Sequence, residues 1–510
     1  MDYQHLRTES DVRAVAMENP DGLPVRLTPQ AVYDIAAGFA LFVSKKLGKP
    51  VEALRMGIAR DCRLSGPTLI QALKQGLVDV GVQVYDCGIS TTPSMFMTTV
   101  TEGFLYDAAM MMTASHLPPD RNGIKFFTNE GGTSNQDVKD ILTLAGAGNF
   151  PKADAPKPVQ EVDFLSVYAQ NLVDFIRHEA NGADYERPLA PFRIVVDAGN
   201  GVGGFFVDKV LKPLGAETAG SQFLEPDGRF PNHMPNPEDD EALAAVSKAV
   251  ADNHADLGII FDTDVDRAAV INQGGVPFAR NALVALMSAI VLEQYPGTTI
   301  VTCSTTSNHI RTFIENRGGK QRRFMRGYRY VIDEALRLNA AGTDSQMAIE
   351  LSGHCALKEN HFLDDGSYLV AKVLIKMAQL HKENKKLETL VTDLQEPLET
   401  FGSGMHYQVE DPQAYGDALM DALYIFAEEQ GFVLNEEHVD GFRAEFPPGD
   451  GYGWAMIRPS MYNPLVGFNI QSEEPGGAHH IAKKFIPFFE RYPELNQEDT
   501  AALYALKDEK

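Results

Sequence analysis

At 510 residues, with 44% hydrophobic and 23% charged side chains, the chain has an ordinary globular composition, which excludes a largely disordered or low-complexity protein. Lys and Arg total 45 against 70 Asp and Glu, a net charge of -25. A field of that sign repels nucleic acid and anionic lipid, so an anionic ligand requires a local cationic pocket.

Domains commonly run to ~100–200 residues, so three or four compact units are expected. The opening MDYQHLRTES has no basic-then-apolar signal pattern. Residues 30–47 place apolar side chains at helical spacing, and VEALRMGIAR leads into a short buried strand ending at Arg60. The helix and strand recur in QALKQGLVDVG and VQVYDCG, and AAMMMTAS reads as an apolar strand ending in a polar loop at Ser115. The proline-bearing stretch 152–160 reads as a linker. A second unit opens with FRIVVDAGNGVGG and closes with a strand at 257–271. A third begins with the helix NALVALMSAIVLEQY and the strand TTIVTCS, then runs through the helix SYLVAKVLIKMAQLHKENKK. Its apolar run, about 282–292, is shorter than the ~20 residues of a membrane span, and a cytoplasmic protein is expected. The remainder mixes strands around WAMIRPS and PLVGFNI with a terminal helix. The predicted fold is therefore three similar α/β domains with mixed sheets, over 1–155, 156–275 and 276–395, and a smaller α+β domain over 396–510. Cys62, Cys87, Cys303 and Cys355 lack CxxC spacing and are expected as reduced, buried thiols.

Chemistry concentrates in a few loops. In FDTDVDR, Asp262, Asp264 and Asp266 alternate directly after the apolar LGIIF. Three carboxylates at a strand end repel one another unless a hard cation neutralises them, and oxygen-only ligands favour Mg²⁺, Mn²⁺ or Ca²⁺ over zinc. An acidic surface turn is the plain alternative. An EF-hand is excluded, because Arg267 stands where its sixth-position Gly belongs and Gln273 where its Glu belongs. In TASHLPPDRNGIKFF, Ser115 follows an apolar strand and precedes His116 and Lys125, a setting for an activated or phosphorylatable hydroxyl as well as for a plain turn. GNGVGG at 199–204, with Glu225 beyond it, formally matches a dinucleotide fingerprint, yet its glycines equally suit a tight strand-to-helix turn. His233 sits in a proline-rich loop read as structural. IELSGH groups Glu350, Ser352 and His354 as possible holders of sugar hydroxyls, and RPSMYNP offers Arg458 and Ser460 to a phosphate.

Taken in order, these segments resemble the α-D-phosphohexomutase superfamily, in particular its phosphomannomutase/phosphoglucomutase branch. The resemblance spans nearly the whole chain through SDVRA, ARDCRLSGP, TTP, TASHLPPDRNGIK, DAGNG, the PNPED loop, DTDVDR, RGYRYV, ELSGH, DDG and RPSMYNP. It implies four domains around a central cleft and a phosphohexomutase interconverting hexose 1-phosphate and hexose 6-phosphate, glucose and/or mannose. The implied route runs through a phosphoserine and a hexose 1,6-bisphosphate that serves as activator and intermediate. Ser115 would carry the phosphoryl group, and Ser115, Asp262, Asp264 and Asp266 would bind Mg²⁺. Arg267 would lie beside that site as a further catalytic residue, and Lys125, Arg13 and His354 would balance charge and move the proton. Glu350, Ser352, Gly327 and Tyr328 would bind the sugar, while Arg458 and Ser460 would hold the idle phosphate. The expected partner is a small-molecule sugar phosphate, with no nucleic acid or membrane, in a monomer or homodimer.

The chain departs from the family pattern at several places. SDVRA lacks the usual final glycine, Leu117 stands where asparagine is usual, Tyr328 stands where some relatives carry histidine, and Thr302 stands where a lysine is common. Met461, Tyr462 and Asn463 alter the phosphate loop, removing a hydroxyl donor and a carboxylate. Three rival readings follow: an amino-sugar phosphate mutase, a catalytically idle sugar-phosphate-binding relative, and a phosphatase that hydrolyses the phosphoserine.

Overall fold

A computed structural model describes residues 1–495 apart from 9, 21, 183, 410, 436–439 and 461–464, and apart from the side chains at 412 and 413. The altered stretch Met461, Tyr462 and Asn463 therefore lies outside the described residues.

The first helix, Pro29–Leu47, shows how local sequence sets an element. Thr28 caps it by accepting from the Ala31 N–H at 3.2 Å, Pro29 starts it, and Gly48 ends it at φ 63°. Its buried residues, including Val32, Ile35, Phe39 and Val43, recur at helical spacing and pack on the first sheet. In that sheet Arg55–Arg60 runs parallel to both Gln83–Ile89 and Ala108–Met112, whereas Arg121–Thr128 pairs antiparallel with Ala108–Met112 and with Asp11–Val15. The sheet is mixed, and it also takes in Gln160–Glu161 beside Gln83–Ile89.

The second sheet orders its strands Pro277–Phe278, Ala268–Asn272, Leu257–Phe261 and Ile194–Asp197. Here the predicted single strand at 257–271 is corrected. Leu257–Phe261 and Ala268–Asn272 form an antiparallel hairpin whose connection is the acidic stretch 262–267. The chain reverses because Val265 takes φ 67° and its N–H donates to the Asp262 carbonyl at 3.3 Å. The third sheet runs Lys320–Phe324, Thr299–Cys303, Ser345–Ile349, Cys355–Leu357, Leu363–Asp364, again mixed. The fourth is wholly antiparallel, Glu399–His406, Leu465–Ser472, Gly453–Pro459, Phe442–Phe446, Val433–Leu434, and is packed with Pro412–Gln430 and Gly477–Phe489.

Cores follow this division unevenly. One apolar core runs from Ala59 and Phe96 of the first sheet region through Val196 and Phe261 to Leu374 of the third, whereas the fourth sheet buries a separate core drawn from residues 405–495. The apolar run 282–292 lies in Asn281–Gln294, a helix buried on nearly every face within the shared core. No described helix is long and apolar enough to cross a membrane. The four cysteines are buried, free thiols.

Candidate active site

Loops at the ends of these strands converge. Ala108–Met112 is buried along its length and delivers the chain to Ser115, which sits in the left-handed region at φ 52° and is 2% exposed. Its N–H is held by Thr113 Oγ at 2.9 Å. The fully buried Arg63 supports this loop by donating to the carbonyls of Ser115, Leu117, Pro118 and Arg121, and Asp61 balances its charge at 3.2 Å.

The hairpin connection of the second sheet supplies the acids. Ser115 Oγ donates to Asp262 Oδ2 at 2.8 Å and accepts from Arg267 Nη2 at 2.9 Å, and Arg267 Nε donates to Asp262 Oδ2 at 3.1 Å. Lys125 pairs with Asp266 and lies 3.7 Å from Asp264 Oδ2. Thr92 reaches across from the first unit, its Oγ donating to Asp264 Oδ2 at 2.5 Å and its N–H to the Asp264 carbonyl at 2.9 Å. The third unit closes in from the other side. Gly353 and Gly366 lie against the backbone of Ala268 and Arg267 so closely that a Cβ would stand 2.6 and 2.8 Å from those atoms.

This is a metal-type donor set. Ligand atoms of Asp262, Asp264 and Asp266 fall within 4.8 Å of one another, all buried. Asp264 Oδ1 and Asp266 Oδ1 are buried without a hydrogen-bond partner, which is costly for a carboxylate unless a cation takes them up. Burial, then the charges of Asp266 and Asp264, push Asp262 well above the usual carboxylate range. Burial works the same way on Asp266, but Lys125 and Arg267 carry it below that range. Burial opposes the charge on Lys125, yet Asp266 and Asp264 hold its ammonium well above the ordinary value. The residues present fit a hard divalent cation.

Above them opens one cavity of about 520 Å³, lined by Arg13, Ser115, Arg267, Gly327, Tyr328, Glu350, Ser352, His354, Arg458 and Ser460 among others. Every predicted site residue thus lines the cavity or lies in the buried cluster beneath Ser115. The His354 ring stacks on Tyr328 with centroids 5.2 Å apart, and its Nδ1 stands 3.5 Å from Asp364 Oδ2. Burial, followed by Arg267 and Lys125, depresses His354 well below the ordinary histidine value and keeps the imidazole neutral. Glu350 accepts the Gly327 N–H at 2.8 Å. The Tyr328 hydroxyl is engaged with Asp11 Oδ1 at 3.0 Å and Ser10 Oγ at 2.9 Å, so its contacts run to the first unit.

Glu238, Arg326, Ser403 and Asn469 also line the cavity, and sequence reading did not single them out. Glu238 and Arg326 lie inside PNPED and RGYRYV, segments noted only for their resemblance. Thr92 lies in TTP, and Arg63 in ARDCRLSGP. The GNGVGG segment is a packing turn: Cβ atoms at Gly203 and Gly204 would meet Phe261 at 2.8 Å and the Leu224 carbonyl at 2.2 Å. His233 contacts both Asp197 carboxylate oxygens at 3.1 Å, a structural tie between two loops.

Three α/β units and a fourth antiparallel one around a cleft, with a serine poised on a buried acidic triad, define a phosphoryl-transfer enzyme architecture. Models for phosphoglucomutase/phosphomannomutase alpha/beta/alpha domains I, II and III match residues 4–149, 167–275 and 279–398, and the chain belongs to this family, within the α-D-phosphohexomutase superfamily. It is 29% identical to a phosphoglucomutase of Neisseria gonorrhoeae over 471 residues, covering 92% of this chain and 95% of that one. It is 28% identical to a phosphomannomutase/phosphoglucomutase of Pseudomonas aeruginosa over 447 residues, 86% and 89% of the two chains. A solved phosphoglucomutase/phosphomannomutase family protein from Burkholderia thailandensis superposes with a TM-score of 0.78 at 26% identity, covering 97% of this chain and 99% of that one.

Proposed function

We propose that the chain is a phosphohexomutase that interconverts hexose 1-phosphates and hexose 6-phosphates, of glucose and/or mannose, through phosphorylated Ser115 and a bound hexose 1,6-bisphosphate. Family membership supports the reaction class. The observation that carries the mechanism is Ser115 Oγ, held between Asp262 at 2.8 Å and Arg267 at 2.9 Å where the cavity meets the acidic cluster.

In this reading a sugar hydroxyl attacks the phosphorus in line, an oxygen–phosphorus bond forms and the bond from phosphorus to Ser115 Oγ breaks. Arg267 donates to the departing serine oxygen. Neutral His354 is positioned to take the proton of the attacking hydroxyl, while Lys125, kept cationic by its carboxylates, and Arg13 balance charge. Asp262, Asp264, Asp266 and Ser115 would hold Mg²⁺, which when bound draws charge from the moving phosphoryl group. Glu350, Ser352, Gly327 and Tyr328 orient the sugar from the third unit, and Arg458 and Ser460 take the phosphate that is not reacting. The bisphosphate then turns in the cleft and returns its other phosphoryl group to Ser115. The division at 155, 275 and 395 belongs to this reading, each unit contributing residues to the cleft. So does a cytoplasmic monomer or homodimer, the location supported by the buried free thiols.

The test incubates the purified chain with Mg²⁺, a trace of glucose 1,6-bisphosphate, and glucose 1-phosphate or mannose 1-phosphate. The 6-phosphates, free phosphate and intact mass are followed together. Isomer formation with an added phosphate that maps to Ser115 is expected; phosphate release without isomer overturns the reading.

A further inference from the structure

Beside Arg13 and Arg267, two further arginines line the cavity. Arg458 comes from Gly453–Pro459 of the fourth sheet and Arg326 from the loop before the helix Tyr328–Ala340 of the third unit, and both line the cavity. Among the described residues neither guanidinium donates a hydrogen bond to a protein group. The carboxylate paired with the Arg326 guanidinium is Glu238, its Oε2 3.9 Å from Nη2, beyond hydrogen-bonding reach. The Arg326 side chain is 42% exposed, and the residue lines the cavity. Its backbone is fixed all the same, because the Arg326 N–H donates to Asp440 Oδ2 at 3.0 Å and Ser304 Oγ donates to the same oxygen at 2.6 Å. Burial, together with the nearby charge of Arg326, lowers Arg458 from its ordinary value. Two like charges held beside one cavity with their donors unspent call for a dianion that accepts from both forks.

We propose that Arg326 is a phosphate-binding residue, sharing the non-reacting phosphate of the sugar substrate with Arg458. This rests on the phosphohexomutase reading above and adds to the cradle a cation from a different structural unit. Asp440 then acts as a positioning residue that presents the Arg326 backbone across the junction of the third and fourth units.

Glucose 6-phosphate is titrated calorimetrically, in Mg²⁺, into the full-length Ser115→Ala chain, which cannot carry the phosphoryl group, so binding is read without turnover. Adding Arg326→Gln is expected to weaken binding roughly 10- to 100-fold. Arg326→Lys, which keeps the charge and loses the fork, is expected to fall in between and carries the test should the Gln variant not fold. Affinity within twofold of the parent for Arg326→Gln overturns the proposal, as does equal weakness of the Lys and Gln variants, which would place the effect in packing. Tight binding by the parent with no isomerisation by the wild-type chain removes the mutase reading and leaves Arg326 in place. No binding by the parent overturns both.

Discussion

Two groups of cations in the cleft are built on opposite electrostatic plans. At the reacting end Lys125 and Arg267 are buried and spent on Asp266 and Asp262. Arg326 and Arg458 also line the cavity, and among the described residues neither guanidinium donates a hydrogen bond to the protein. The packing differs in parallel: the reacting end sits among units that share one apolar core, whereas Arg458 comes from a strand of a unit with its own core. That unit is tied to the third by polar contacts such as Ser304 to Asp440 and His309 to Glu473 at 2.8 Å. The contrast fits the proposed reaction. Stabilising a charge that moves over a short distance demands dipoles and ions fixed in advance, so that nothing reorganises during transfer. Holding either of two phosphates in turn demands donors that exchange one partner for another.

Breaking the reacting end gives the largest expected effects. Ser115→Ala should lower turnover by about 10⁴-fold or more, since the group that accepts and returns the phosphoryl is gone. Its melting temperature should stay near wild type, because one residue at φ 52° replaces another of similar size. Isomer assays and thermal unfolding together check this, and appreciable residual turnover would take Ser115 out of the mechanism. Arg63→Ala acts on the same end through the fold. It strips donors from four carbonyls of the serine loop and leaves Asp61 buried without its partner, at a cost of about 3–5 kcal/mol in unfolding free energy. Denaturant titration measures it, and a loss under about 1 kcal/mol, the value of an exposed pair, would show that the loop does not depend on this ion pair.

Asp264→Asn should lower turnover about 10²–10³-fold, on the scale of one lost electrostatic stabiliser, and should raise the Mg²⁺ concentration needed for half-maximal rate. The amide can still accept from Thr92 through its oxygen, so folding should survive while Asp264 Oδ1, unpartnered in the buried cluster, loses its charge. An unchanged Mg²⁺ requirement would move the metal away from this triad.

Much of this end could be read in the chain before its structure because the signals are local. LGIIF and AAMMM announce buried strands, and three alternating aspartates after one of them announce a charge problem that a cation solves. The hairpin at 257–271 was not legible, since the turn depends on Val265 entering the left-handed region, a conformation that a β-branched residue adopts only when its surroundings impose it. Arg63 and Thr92 were seen as motif members without a task, because their partners, the 115–121 carbonyls and Asp264, come from loops distant in sequence. Arg326 escaped for the same reason. A surface arginine and a cavity arginine look alike until the fold places the residue in the cavity lining.

Tyr328 yields the smallest effect and the sharpest comparison, because it follows Arg326 closely in the chain while its side chain contacts the reacting end. Its ring lies 5.2 Å from Lys125 Nζ and stacks at the same distance on His354, while its hydroxyl crosses to Asp11 and Ser10. Removing only the hydroxyl should cost about 1–2 kcal/mol of stability for one charge-assisted hydrogen bond. It should lower kcat less than about tenfold, since one such bond to a group outside the cleft is worth about a factor of ten at most in positioning. Tyr328→Phe keeps the ring over Lys125 and against His354, whereas Tyr328→Ala opens the face of both groups and should lower kcat further and shift the pH–rate profile. Parallel profiles of the two variants measure the difference. Equal kinetic damage from Phe and Ala, with KM rising in both, would assign the hydroxyl to the sugar and not to the contact between the first and third units.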